Sequence, residues 1–116
     1  MDRIEHLLRR SIREVFGQQD ITARRRAIAE IFTEDCIFIA PDGRHEGHDA
    51  LEADVAALQA RLPGYAFSEE AVTLLDGAGL LEWSFGPPED LSRITGIDVA
   101  LVQDERIATL MVFLKP

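Results

Sequence analysis

"TGIDVALVQDERIATLMVFL", residues 95–114, decides the fold. Two β-branched and aliphatic runs flank the polar cluster "QDER", so the segment predicts two strands joined by a tight turn. Just upstream, "LLEWSFG" (80–86) alternates, with Leu81, Trp83 and Phe85 on one face and Glu82 and Ser84 on the other. Residues 65–76 read as extended, and "DGAG" supplies a hairpin turn between them and that segment. The second half of the chain therefore predicts four consecutive antiparallel strands.

The first half carries a different period. Ile4, Leu7, Leu8, Ile12, Val15 and Phe16 recur three or four apart and predict an amphipathic helix, stopped by Gly17 and "QQD". Thr22 can cap a second helix with Ala27, Ile28, Ile31 and Phe32 on its inner face. "CIFIAP" is a short strand ended by Pro41, and "PDG" offers turn chemistry. A third helix follows Gly47, with Asp49 and Glu52 at capping-box spacing and Leu51, Val55, Leu58 and Leu62 as its stripe. Helices gathered first and a meander last make an α+β plan, a curved, mostly antiparallel sheet wrapped around three N-terminal helices.

In the last strand Ile107, Met111 and Phe113 are assigned to one face and Ala108, Leu110, Val112 and Leu114 to the other. A strand apolar on both faces is expected to be buried on both. The helices cover one face, and a homodimer through the outer sheet face covers the second, because a symmetric interface needs only one patch. The alternative is that the helices cover more of the sheet.

At 116 residues the chain is expected to form a single domain over 1–116. Its formal charge of −9, from 12 basic and 21 acidic side chains, argues against nucleic acid or an anionic membrane as partner. The run Arg24-Arg25-Arg26 reads as a solvated helix face. No apolar stretch approaches the ~20 residues of a membrane span, and the charged N-terminus does not read as a secretory signal. A lone cysteine, Cys36, excludes an internal disulfide, suits a small core position, and fits a cytoplasmic setting.

Asp98 is the residue that invites a functional reading. It shares a strand face with Gly96, Ala100 and Val102, while bulkier Ile97, Val99 and Leu101 occupy the other. A carboxyl group on a small-residue face can line a cavity, where desolvation would raise its pKa. A buried acid satisfied by Trp83 or a backbone amide, with no chemistry, is the plainer alternative. Trp83 is either an aromatic pocket wall with one N–H donor or simply a large core residue.

The segment "DGRHEGH" (42–48) gathers His45, His48 and three other charged groups. A metal is not expected there, since His45-x-x-His48 on a turn lacks a helix to align the rings and a third ligand at a recognised spacing. Either histidine is a candidate acid–base partner, and His6 reads as a surface residue. No glycine-rich phosphate loop is present and Lys115 is the only lysine, so no cofactor is expected.

Taken together, "IFTEDCIFIAPDGRHEGHDAL", "LPGYAF", "LLEWSFGP" and "TGIDVALVQDERIATLMVFL" resemble the nuclear transport factor 2-like superfamily and, within it, the SnoaL-like group. The resemblance runs from about Ile12 to Leu114. It implies a cone of strongly bent sheet closed by helices, an apolar pocket at the open end, and frequent dimerisation through the outer sheet face. Known members include ketosteroid isomerase, scytalone dehydratase, limonene epoxide hydrolase, polyketide cyclases and binding proteins, so fold alone says little about function. "GIDVAL" is similar to the segment that supplies the protonated oxyanion-hole aspartic acid of ketosteroid isomerase, which places Asp98 at that position. The general-base aspartate would fall at Ala40 and the oxyanion tyrosine near Phe16, so that mechanism does not carry over whole. A cyclase-type site would need Asp98 and at most a histidine. The expected pocket is walled by Phe16, Phe32, Trp83, Phe85, Ala100 and Val112, with Asp98 as its principal polar group. Three functions follow as expectations: binding of a small apolar molecule, cofactor-free acid–base catalysis of isomerase, cyclase or dehydratase type, or a dimerising module without ligand.

Overall fold

The computed structural model describes residues 2–116. Helix α1 (Arg3–Arg10) starts at Asp2, whose carboxylate accepts from the backbone N–H groups of Ile4 and Glu5. It runs straight into a π-helical segment, Ser11–Phe16, which closes where Gly17 N–H donates to the carbonyl of Ile12 at 2.8 Å. A Cβ at position 17 would crowd that same carbonyl, so glycine permits the wide closing turn. Helix α2 (Ile21–Ile31) is capped by Asp20 and not by Thr22, which lies inside the helix.

Strand β1 spans Phe32–Ala40 and pairs with β2, Gly43–Glu46. Both exceed the expectation of one short strand followed by a turn. Exposed Glu34 and Asp35 interrupt the period at the start of β1, where its register against the last strand also shifts. β2 is polar because an edge strand is held by main-chain pairing and needs no apolar face. Helix α3 (His48–Arg61) follows Gly47, which has φ +87°, and no side chain caps it. The expected capping box is not made, because Glu52 points inward to Arg24.

Four strands complete the molecule: β3 (Ala66–Leu75), β4 (Ala78–Gly86), β5 (Ile94–Gln103) and β6 (Arg106–Leu114). The sheet order is β2-β1-β6-β5-β4-β3, antiparallel throughout except for parallel β1 and β6. The expected α+β architecture is present, with a curved sheet that stays open, its two edges β2 and β3. Between the pairs Leu101–Thr109 and Val102–Ile107 the β6 strand holds one extra residue, Ala108. That bulge turns Ile107 to the inner face beside Leu110, where both are fully buried. Strict alternation assigns Ile107 to the same face as Met111 and Phe113, and the bulge moves it to the other.

The core lies between helices and concave sheet, centred on Leu7, Leu8, Ile28, Ile31, Leu51, Val55, Leu81 and Leu110. Cys36 sits within it, 1% exposed, and burial pushes its thiol pKa up. The arginine run is not uniformly solvated. Arg25 and Arg26 are exposed, but Arg24 is 3% exposed and forks onto Glu52 with bonds of 2.6 and 2.7 Å. Its remaining donor serves the carbonyl of Gln18 and the side chain of Gln59. Among the described residues no helix is long and apolar enough to cross a membrane.

Candidate functional site

A cavity of about 270 Å³ lies between α3 and the concave face of the sheet. One wall is helical, formed by Asp54, Ala57, Leu58 and Arg61 of α3, with Ile12 and Phe16 of the π-helical segment beside it. The other is sheet: Phe38 and Ala40 from β1, Phe67, Trp83, Phe85, Ile94 and Asp98, and Val112 and Leu114 from β6. Aromatic rings give this wall its rigidity. Phe67 stacks on Phe85 with centroids 4.1 Å apart and meets Trp83 edge-on at 5.5 Å.

The polar centre of the sheet wall depends on a glycine. β4 and β5 pair so that Trp83 stands opposite Gly96. A Cβ on Gly96 would collide with the Trp83 ring, so the missing side chain lets the indole lie across β5. Its Nε1–H then donates to Asp98 Oδ1 at 2.8 Å. Asp98 is 2% exposed, and burial pushes its pKa up to about 7 against the opposing pull of the indole hydrogen bond. Near neutral pH this carboxyl group is divided between its acid and its base form, able to donate or accept a proton on the cavity wall.

The sequence-selected residues separate into those at the cavity and those away from it. Phe16, Trp83, Phe85, Asp98 and Val112 line it. Ala100 does not, although it shares the Asp98 face. It pairs with Gly79, over which Ile4 and Leu8 of α1 pack, so small residues there make room for a helix and not for a ligand. Phe32 is also displaced, buried at the opposite end of β1. His48 opens α3, and its Nε2–H donates to the carbonyls of Thr33 at 2.9 Å and Phe32 at 3.1 Å, a structural clasp. His45 stands beside the cavity, with Nδ1 3.5 Å from Asp54 Oδ2 and Nε2 3.8 Å from Asp42 Oδ1. His6 is exposed.

Asp42, His45 and Asp54 bring one ligand atom each within 4.8 Å of one another. The nearest approaches use a different imidazole nitrogen for each acid, Nδ1 for Asp54 and Nε2 for Asp42. Asp54 was not singled out by the sequence, nor were Phe38 and Phe67. A signal existed for Asp54, because 54, 57 and 61 carry helical spacing along a stripe adjacent to the apolar one.

A family model described as a SnoaL-like domain matches residues 8–110. Solved structures share the fold over nearly the whole chain. A protein of Agrobacterium tumefaciens str. C58, provisionally called an isomerase of the SnoaL-like family, superposes with a TM-score of 0.90 at 20% identity, covering 100% of both chains. A provisional SnoaL-like polyketide cyclase from Jannaschia sp. CCS1 gives 0.82 at 15% identity, over 97% of this chain and 85% of that one. A provisional ketosteroid isomerase from Kribbella flavida gives 0.76 at 12% identity, over 98% and 78%. At these identities the likeness is one of fold. No curated protein matches the sequence significantly.

Proposed function

The chain belongs to the SnoaL-like domain family, and on that premise we propose that its cavity binds a small, mainly apolar molecule, with Asp98 as the polar anchor. The observation that carries this reading is a carboxyl group held 2% exposed on the wall of an aromatic-lined cavity of about 270 Å³. Apolar walls with one convergent polar group are the usual composition of a small-molecule site. Mass spectrometry of protein purified under native conditions tests it. A small molecule should be released by the wild type and be absent from Ala57→Trp, which fills the cavity from α3. Failure of the wild type to retain any molecule, and to bind any member of an apolar fragment library, would sink the reading.

A second reading, cofactor-free acid–base catalysis, is favoured by the placement of the Asp98 pKa at about 7. Phe16 and Ala40, where the resemblance to ketosteroid isomerase would put a tyrosine and a base, both line the cavity and neither can handle a proton. On this reading the base has to come from another position.

A further inference from the structure

We propose that the molecule held in this cavity is an organic cation, a compact amine whose ammonium group meets Asp98 and whose hydrocarbon body meets the aromatic wall. The inference rests on the binding reading above and adds the charge of the ligand. Its first support is Asp98 itself. The carboxyl group is buried on the cavity wall, and the Trp83 indole takes up Oδ1 alone. Among the described residues no donor reaches Oδ2. A donor on the ligand would complete that acceptor, which is costly to leave unmet in an apolar site. Burial also disfavours the charged carboxylate, and a positive charge beside it offsets that cost.

The second support is the balance of charge. Exposed Asp42, half-buried Asp54 and buried Asp98 line the one cavity, so carboxyl groups run from its solvent side to its deep wall. Against them stand Arg61, exposed at the end of α3, and His45 beside Asp42 and Asp54. A neutral ligand makes no use of this field, and an anion opposes it. The formal charge of −9 on the whole chain has the same sign and draws cations toward the surface. Third, Phe16, Phe38, Phe67, Trp83 and Phe85 all line the cavity. The face of an aromatic ring attracts an ammonium group placed within about 6 Å of its centre. At about 270 Å³ the space lies just below the usual range of ligand sites, ~300–1,000 Å³, which suits an amine of one or two rings.

Three probes with one ring system and different charge test this by titration calorimetry: 2-aminoindane, 2-indanol and indane-2-carboxylate. The amine should bind the wild type about tenfold tighter than the neutral alcohol, and the carboxylate should bind weakest. Asp98→Asn should remove about tenfold of the affinity for the amine and change that for 2-indanol by less than about threefold. Phe67→Leu keeps an apolar wall but removes a ring face, so it should weaken the amine more than the alcohol whether or not Asp98→Asn folds. An advantage of the amine that survives unchanged in Asp98→Asn, or in both variants, would overturn the recognition described. Equal wild-type affinity for 2-indanol, or neutral fragments binding where the amine does not, would overturn the cationic ligand and leave the pocket standing. If neither the amine nor any neutral fragment binds, the binding reading fails and this inference fails with it.

Discussion

Asp98 ties stability to pH in the direction opposite to most carboxylates. Unfolded, it titrates near the ordinary value of about 3.9, and folded it titrates at about 7. Between those values the folded chain keeps a proton that the unfolded chain has released. Its contribution is therefore complete below the unfolded pKa, falls as pH rises toward 7, and is constant above, a loss of order a few kcal/mol. Asp98→Asn keeps an oxygen for the Trp83 N–H and cannot ionise, so its urea midpoint should change less between pH 4.5 and 7.5 than that of the wild type. Equal slopes would show that the carboxyl is not desolvated in solution. Arg24 gives the contrasting case. Arg24→Met strands Glu52 in the core without its partner and should cost about 3–5 kcal/mol in urea unfolding. The double variant Arg24→Met/Glu52→Leu should recover much of that loss. Asp98 was legible as an inward acid because the alternation of β5 is regular and its neighbours are small. Arg24 was not, because a charged run looks the same whether or not one member finds a buried acid from another helix.

At the scale of elements, the departures from expectation share one cause: tertiary contacts that shift the local period. The first helix carries a clean apolar stripe, yet it widens into a π turn at Ser11–Phe16, which places Ile12 and Phe16 together on the cavity. The Ala108 bulge in β6 likewise returns Ile107 to the core. Neither leaves a mark in hydrophobic spacing, because both insert a residue without changing its character. Ala100 shows the converse, a small residue whose size answers to α1 packing over the sheet. Gly96 can be tested as a device for placing the indole. Gly96→Ala puts a methyl group against the Trp83 ring and should destabilise the fold by about 1–3 kcal/mol. It should also shift the Trp83 emission as the indole leaves Asp98. An unchanged spectrum with intact stability would mean that the ring has room to spare.

For the whole molecule, the order of helices and strands was readable because period-two and period-3.6 segments hardly overlap, and the open sheet follows from that order. What the sequence left open was how much of the sheet the helices cover. They cover the inner face alone. On the outer face the register aligns Ile39, Met111, Val99 and Leu80 in one row across four strands, with Phe113 and Ile97 in the next. Ile39 of the first row and Phe113 of the second are 37% and 54% exposed, and Leu101, two residues beyond Val99 on the same face of β5, is 43% exposed, so this face meets solvent in the single chain. A contiguous apolar face of that kind is what a protein–protein interface presents, and a twofold pairing needs no second surface. We propose that two copies pair through it. The protein should then elute with twice its 12.9 kDa mass in light scattering at micromolar concentration. Phe113→Glu, on the outer side of β6, should give the single-chain mass. Glu82 and Lys115, paired at 2.8 Å, lie at the border of the same rows, so high salt should disturb association far less than a charge planted among the apolar groups. A wild type that elutes as one chain across that concentration range would dispose of the pairing and leave the exposed row as a surface for some other partner.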